Sequence, residues 1–357
     1  MAKTYGSFLG ANTPQGFVSF FDEMYNPYQS CKPFIIKGGP GTGKSTLMKK
    51  LRDMALKNDL EREIIYCSSD PDSLDGIILP EKGISVADGT SPHILEPKFP
   101  GAAENIINTG AFWNREMLFS RQEEIRSLTL ENSIHHRRSA KYLAAAGSIN
   151  EESLRMTNKY IDTDKIDSFA VRFASREMPK KKGNSPGTKR KRFISAITPK
   201  GLVFLDGTVT ALASRVIGID DEYTLVSSIL ADRIGEFAVK NGYDVIFCHC
   251  PFKPKMQCEH IIIPELKLAI VTLKTAHKTE IECDRVIHAK RFLYDEVSNC
   301  ATALRFNRRL VKELTAESMS ALVEAKKVHD KLEKIYIEAM DFDALNNYCE
   351  NLIKSLL

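Results

Sequence analysis

The residues richest in chemistry lie between positions 38 and 45, Gly38-Gly39-Pro40-Gly41-Thr42-Gly43-Lys44-Ser45. They fit the spacing G-x-x-x-x-G-K-[S/T]. The glycines let the backbone take positive φ and turn its N–H groups inward, and without a Cβ they leave room for close approach of an anion. Lys44 offers a point charge to phosphates and Ser45 a hydroxyl to a divalent cation. With Thr46 the chain enters a helical pattern whose N-terminal partial charge is also positive. Gly38 to Thr46 is therefore expected to cradle a polyphosphate, with Ser45 as one metal ligand.

A metal at such a loop needs a second, acidic ligand. Asp88 follows the apolar run Ile84 to Ala87, and Asp70 follows Ile64 to Cys67. A carboxylate at the C-terminal end of a buried strand is the arrangement that brings an acid beside a metal held by the loop hydroxyl. Asp88 is the preferred ligand, and Asp70 is the other candidate, with a turn-forming role open to either. Lys44 and Asp88 are thus the expected catalytic pair, and Ser45 and Asp88 the expected Mg²⁺ ligands.

The elements around the loop have to hold it. Phe34 to Lys37 reads as a short strand before it, and Ser45 to Leu56 has helical spacing after it, through Leu47, Leu51, Met54 and Ala55. Ile64 to Cys67 and Ile84 to Ala87 read as buried strands, and Phe112 to about Phe173 as mostly helix. The whole pattern recurs. Phe8 to Val18 matches Phe193 to Val203, and Gly76 to Glu81 matches His260 to Glu265. His93 then matches His277, and Tyr160-Ile161 matches Tyr336-Ile337. Val245 to Cys248 and Leu268 to Leu273 supply strands in the second copy, and Arg291 to Leu357 its helical tail. Collinear matches imply a tandem duplication. The expected architecture is α/β, with two similar halves, each a mostly parallel sheet flanked by helices and ending in a helical extension. The boundaries read as 1–175, a basic linker at 176–192, and 193–357.

Duplication makes the halves a comparison. Aligning Thr46-Leu47 with Thr224-Leu225 puts Asp221, Glu222 and Tyr223 where the first half has Gly43, Lys44 and Ser45, and Asp88 corresponds to Thr272. Acids at Asp220 to Glu222 repel a polyphosphate, so only the first half is expected to bind one. These acids are instead suited to capping their own helix.

At 357 residues the chain has room for two cores, and 43% hydrophobic with 27% charged residues excludes wholesale disorder. Eight cysteines spread along it suit reduced thiols. No apolar stretch marks a signal peptide or a membrane span, so a cytoplasmic location without membrane contact is expected. A net charge of +4 does not argue for nucleic acid, although Pro179 to Arg192 gathers seven Lys/Arg in what reads first as an exposed linker and second as a contact to a nucleic-acid phosphate backbone. Cys248, Cys250, Cys258, His249 and His260 have ligand types without common zinc spacing, and burial is the favoured reading. His93, kept in both halves, reads as part of the shared fold. Ser68, Ser69, Asp72 and Asp75 form a polar stretch suited to an acceptor or a plain surface loop. Arg115, Arg121, Arg126, Arg137 and Arg138 lie on the helical segment, as a source of a phosphate-reading arginine or as a plain solvated face.

The loop with Asp88 resembles the P-loop NTPase superfamily. Together with Ala11-Asn-Thr-Pro14, Ser69 to Asp75, Asp88-Gly-Thr-Ser-Pro-His93 and the second Thr198-Pro199, the chain resembles a bacterial family described only as ATPases and built from two P-loop halves. It departs from that family by a degenerate second loop. The resemblance implies ATP as nucleoside triphosphate with Mg²⁺ at a single site, and an ATPase. Gly89 stands where a neighbouring glutamate is common, so hydrolysis is expected to be slow. Two alternatives stay open. One is a nucleotide or small-molecule kinase. The other is an ATP-gated binding protein or scaffold that engages a protein partner without significant turnover.

Overall fold

The computed structural model describes residues 2–24, 32–182, 185–221, 225–254, 258–273 and 281–357. The first half runs β1 (Thr4–Ser7), a hairpin of β2 (Gly10–Thr13) and β3 (Gly16–Ser19), β4 (Lys32–Lys37), α1 (Lys44–Lys57), β5 (Arg62–Tyr66), β6 (Leu74–Leu79), β7 (Ile84–Asp88) and β8 (Asn105–Asn108). Helices α2 (Arg115–Ser120), α3 (Gln122–Asn158) and α4 (Thr163–Glu177) complete it. The second runs β9 (Lys189–Arg192), a hairpin of β10 (Ser195–Thr198) and β11 (Gly201–Phe204), α5 (Asp206–Leu212), β12 (Arg215–Asp220), α6 (Val226–Lys240), β13 (Val245–His249), β14 (Cys258–Ile263), β15 (Leu268–Leu273), β16 (Arg285–His288), α7 (Ala301–Glu338) and α8 (Phe342–Leu356).

Each half builds a six-stranded sheet, ordered β1-β5-β6-β7-β4-β8 in the first and β9-β13-β14-β15-β12-β16 in the second. The order is the same in both. All pairings are parallel except those of β6 and β14, each antiparallel to both neighbours. The fold is thus α/β with two mostly parallel sheets flanked by helices. β4 and β7 are central strands, apolar on both faces because both faces are covered, and their C-terminal ends open on the same edge.

The spatial units differ from the sequence halves at 1–175 and 193–357, because the last helix of each half packs on the other. Ile166, Phe169, Ala170 and Phe173 of α4 lie in one core with Ile217 and Ile219 of β12 and Leu230 and Ile234 of α6. Reciprocally, Leu345, Cys349 and Ile353 of α8 lie with Ile36 of β4 and Leu47 and Leu51 of α1. Full burial of each large apolar side chain is worth about 1.5–3 kcal/mol, so the exchange ties the halves together strongly. The carriers of these helices, α3 and α7, run antiparallel. Arg121 at the start of α3 pairs with Glu338 at the end of α7, and Ser139 and Ser318 share a 2.8 Å hydrogen bond at mid-length.

The stretch expected to be a linker ends as structure. Lys189–Arg192 is an edge strand beside β13, and Arg192 is buried with its guanidinium on Glu63 of β5. Alternating basic side chains on an edge strand discourage edge-to-edge pairing with another chain, which explains a composition that reads as loop. Next to it, Phe8 and Phe193 exchange backbone hydrogen bonds of 2.8 and 3.0 Å and join the two sheets.

Two of the repeat matches are corrected by register. Ile161 bridges Leu293 as Met340 bridges Trp113, and Asp162 caps α4 as Asp341 caps α8. Ala339-Met340, and not Tyr336-Ile337, therefore answers to Tyr160-Ile161. The second correction concerns the glycine loop and follows below. No helix among the described residues is long and apolar enough to cross a membrane. Seven cysteines, from Cys67 to Cys349, are free thiols among the described residues.

Candidate functional site

The segment Gly38 to Gly43 leaves the end of β4 and turns into α1, a 14-residue helix. Gly41 and Gly43 sit at φ +66° and +77°, the left-handed region where other residues are strained. A side chain at Gly41 would also meet the Glu333 carbonyl of α7 at 2.7 Å, so two constraints require glycine there. Thr42 is fully buried. Its hydroxyl donates to the Gly39 carbonyl at 2.8 Å and accepts from Thr109 at 2.9 Å, fixing the loop from the end of β8.

Helix α1 starts at Gly43, which has no side chain to cap it, and carries no acid in its first turn. Its positive end faces a cavity of about 530 Å³ lined by Gly38 and Pro40 to Thr46 of the loop. Lys44 Nζ donates to the carbonyls of Gly39 at 2.6 Å and Gly38 at 3.3 Å and lies 3.6 Å from Asp88 Oδ2. Ser45 Oγ accepts from the Leu74 N–H at 2.9 Å. Gly39 makes its contribution through that carbonyl. Asp88, paired in register with Ile36 at the end of β7, accepts from the backbone and hydroxyl of Thr90 at 2.9 and 2.6 Å. The expected set, Gly39 excepted, thus lines one cavity. Asp70 lies in the same wall but organises its own turn, accepting from Asp72 N–H and Ser73 Oγ, and pairs with Lys326 of α7 at 3.4 Å.

Sequence reasoning missed part of the wall. Asp75, in the polar stretch suited to an acceptor or a plain surface loop, is buried beside Asp88. Burial pushes its carboxyl up to about 6 and the charge of Asp88 adds to the shift, against opposing effects of His93, a Cys67 hydrogen bond and Lys44. Burial likewise raises the Cys67 thiol well above its usual value, and Asp75 adds to it. His93 is buried, stacked on Phe21 with ring centroids 4.2 Å apart, and has no hydrogen-bond partner on either ring nitrogen. Its repeat partner His277 lies outside the described residues. From α7 come Lys326, His329 and Glu333, and from α3 come Asn132 and His136. Burial lowers both histidines below the usual imidazole value. The signal for these residues is weak because polar helix residues about 90 (α3) or about 285 (α7) positions from Lys44 look like any solvated face.

In the second half, β12, α6 and β15 fix the true correspondence. Ile219 pairs with Thr272 as Ile36 pairs with Asp88, so Thr272 does take the place of Asp88. Leu230, Ala231, Ile234 and Ala238 face the core as Leu47, Met48, Leu51 and Ala55 do, and Asn241 closes α6 as Asn58 closes α1. With equal spacing throughout, Asp221 answers to Gly38, and Ser227 and Ser228 answer to Lys44 and Ser45. Glu222 and Tyr223, aligned from sequence with Lys44 and Ser45, lie outside the described residues. Local letter matches at Thr224-Leu225 misled because the core-facing spacing sets the register. The capping expectation holds for Asp221, which is fully buried and accepts from the Ser227 N–H at 2.8 Å. Its own carboxylate occupies that helix start. Asp221→Ala is expected to cost about 0.5–2 kcal/mol in urea unfolding.

Among the described residues, the cysteines and histidines between 248 and 260 do not form a metal-sized group. Cys248, Cys258 and His260 are buried, and His260 Nδ1 accepts from the Thr272 N–H at 3.0 Å. Of the arginines, Arg121 and Arg126 pair with helix glutamates and Arg138 lies over Tyr142. Arg137 lines a second cavity of about 500 Å³ adjoining the first through Asn132 and His136.

No protein-family model, curated protein or solved structure matches the chain.

Proposed function

We infer that the chain is a P-loop nucleotide-binding protein that takes Mg·ATP at one site in its first half and hydrolyses it slowly. The observation that carries this reading is the convergence of Lys44, Ser45 and Asp88 on an uncapped helix start behind two left-handed glycines, in a cavity of about 530 Å³. A pocket of that volume suits a nucleotide-sized ligand. The fit is chemical as well. Lys44 is satisfied by loop carbonyls and Asp88, partners that a triphosphate can replace with stronger charge-assisted ones.

Loop N–H groups and Lys44 would hold the phosphates, and Ser45 and Asp88 the Mg²⁺. The metal supplies neutralisation of phosphate charge. Slow turnover follows from Gly89, because a Cβ there would lie 2.4 Å from Ile35, so no side chain at that position can orient a water. The second half adds helices and, from α7, the polar wall residues Lys326, His329 and Glu333. Its α7 and α8 close over the loop at Gly41 and Gly43, and its own helix start is already served by Asp221.

A second reading, phosphoryl transfer to an acceptor, draws on the adjoining cavity of about 500 Å³ with Ser69, Asn132, His136 and Arg137 on its walls. Calorimetric titration of Mg·ATP with phosphate release on the same sample tests both. One nucleotide per chain with slow release supports the ATPase reading. Release that rises only with an added small-molecule or nucleotide acceptor moves the assignment to a kinase. Two nucleotides per chain, or none, would sink the single-site reading.

A further inference from the structure

We propose that Asp75, Asp88 and His93 form a binding site for a first-row divalent transition-metal ion in the wall of the loop cavity. The ion itself does not depend on the triphosphate reading; only its coupling to Lys44 does.

The three residues come from three segments, the start of β6, the end of β7 and the loop beyond it. One ligand atom from each lies within 4.8 Å of the others. Metal bonds to nitrogen or carboxylate oxygen are about 2.0–2.2 Å, which puts ligand atoms about 3.4 Å apart around a tetrahedral ion, so the set closes on an ion by side-chain shifts that draw each pair in by up to about 1.4 Å. All three residues are buried, with His93 5% exposed and the Asp88 side chain 12%.

His93 is the independent observation. Neither of its ring nitrogens has a partner, although buried polar atoms are normally satisfied. The ring cannot turn out to water without losing its stack on Phe21, at an interplanar angle of 6°. Its loop is also pinned at both ends, since Lys37 Nζ donates to the Gly89 and Leu95 carbonyls at 2.9 and 2.7 Å. Two buried carboxylates and an imidazole with an idle nitrogen are what a divalent cation satisfies at once.

The second half differs at the position of Asp88. There Thr272 replaces Asp88, its N–H is bonded to His260 Nδ1, and its hydroxyl donates to the Glu259 carbonyl.

The ligand set selects the ion. Imidazole disfavours Mg²⁺ and Ca²⁺, while mixed imidazole and carboxylate suits Mn²⁺, Fe²⁺, Co²⁺ or Zn²⁺. Three protein ligands leave a position open toward the cavity that the same residues line. Because Asp88 lies 3.6 Å from Lys44, an ion here draws off the carboxylate that holds the lysine and makes it available to phosphate. Asp88 would then serve both this ion and the Mg²⁺ of the nucleotide, so the two occupancies are linked through that carboxylate.

The test uses metal-stripped full-length protein and Mn²⁺ alone, with free Mn²⁺ read by electron paramagnetic resonance. One ion per chain, not displaced by equimolar Mg²⁺, is expected. Loss of a residue that merely orients a ligand costs about 10–100-fold, so His93→Gln and Asp75→Asn should each weaken Mn²⁺ by about 100-fold or more. His288→Gln, at an exposed histidine of the second half, should not change it. No Mn²⁺ bound by wild type, or unchanged affinity in His93→Gln, overturns the site. Should the variants not fold, pulsed resonance of Mn²⁺ on wild type decides, since absence of ¹⁴N coupling means no imidazole ligand. Lys44→Ala separates the two readings by keeping Mn²⁺ and losing Mg·ATP. Wild type that binds Mg·ATP but not Mn²⁺ sinks the metal site alone.

Discussion

Lys44→Ala is expected to lower affinity for Mg·ATP by about two orders of magnitude or more, with the chain still folded. Each charge-assisted hydrogen bond is worth about 1.5–3 kcal/mol, and 1.4 kcal/mol is a factor of about 10, so losing the contacts of one ammonium to two phosphates reaches that range. Folding should survive because Asp88 keeps two hydrogen bonds from Thr90, and the loop keeps Thr42 to Gly39 and Thr109 to Thr42. Calorimetry measures the affinity and thermal melting the integrity. Affinity within threefold of wild type in a folded variant would remove Lys44 from the site. Lys44→Arg is not a conservative control, since a planar guanidinium in place of a compact ammonium has to enter a loop that α7 already crowds at Gly41.

Glu63→Gln is expected to destabilise the protein by about 3–5 kcal/mol, because it leaves Arg192 charged and buried without its partner. The pair is bidentate, Nε to Oε1 at 2.5 Å and Nη2 to Oε2 at 3.0 Å, and Ser7 Oγ donates to the same carboxylate at 2.7 Å. Both side chains are 3% exposed, and they join β5 of the first sheet to β9 of the second. Burial alone would raise the Glu63 carboxyl, but the charge and hydrogen bonds of Arg192 with the Ser7 hydroxyl outweigh it and hold it below the ordinary 4.5. A depressed acid stabilises the fold above its unfolded value and loses that contribution as pH falls through the folded one. Wild type should therefore lose stability below about pH 4.5 through this residue. Glu63→Gln should be weaker at neutral pH and flatter in that acid window. Replacing both partners by methionine should recover much of the loss, since two matched apolar groups carry no uncompensated charge. Urea unfolding at pH 7 and below 4.5 measures both, and a neutral-pH loss under about 1 kcal/mol would show that the pair does not hold the halves together.

The sequence by itself determined what is local or periodic. The loop from Gly38 to Ser45 was legible because its glycines, lysine and serine are consecutive and act through backbone conformation. The strand before it, the helix after it and the duplication were legible because core faces repeat at periods of two or 3.6 residues. Asp88 was legible as the end of an apolar run. The tertiary structure decided everything that joins distant segments. An amphipathic helix announces that one face is buried and not against what, so the exchange of α4 and α8 between halves left no trace in periodicity. Lys189–Arg192 was read as linker because four charges conceal an edge strand, and nothing local marks Arg192 as the partner of Glu63. The second half's loop was misaligned by two matching letters, where the packing of Leu230, Ile234 and Ala238 sets the register. Asp75 and His93 met Asp88 only once the antiparallel β6 and the pinned loop after β7 had folded against each other. Burial and proximity belong to the packed chain, and no property of a residue's own neighbours in sequence encodes them.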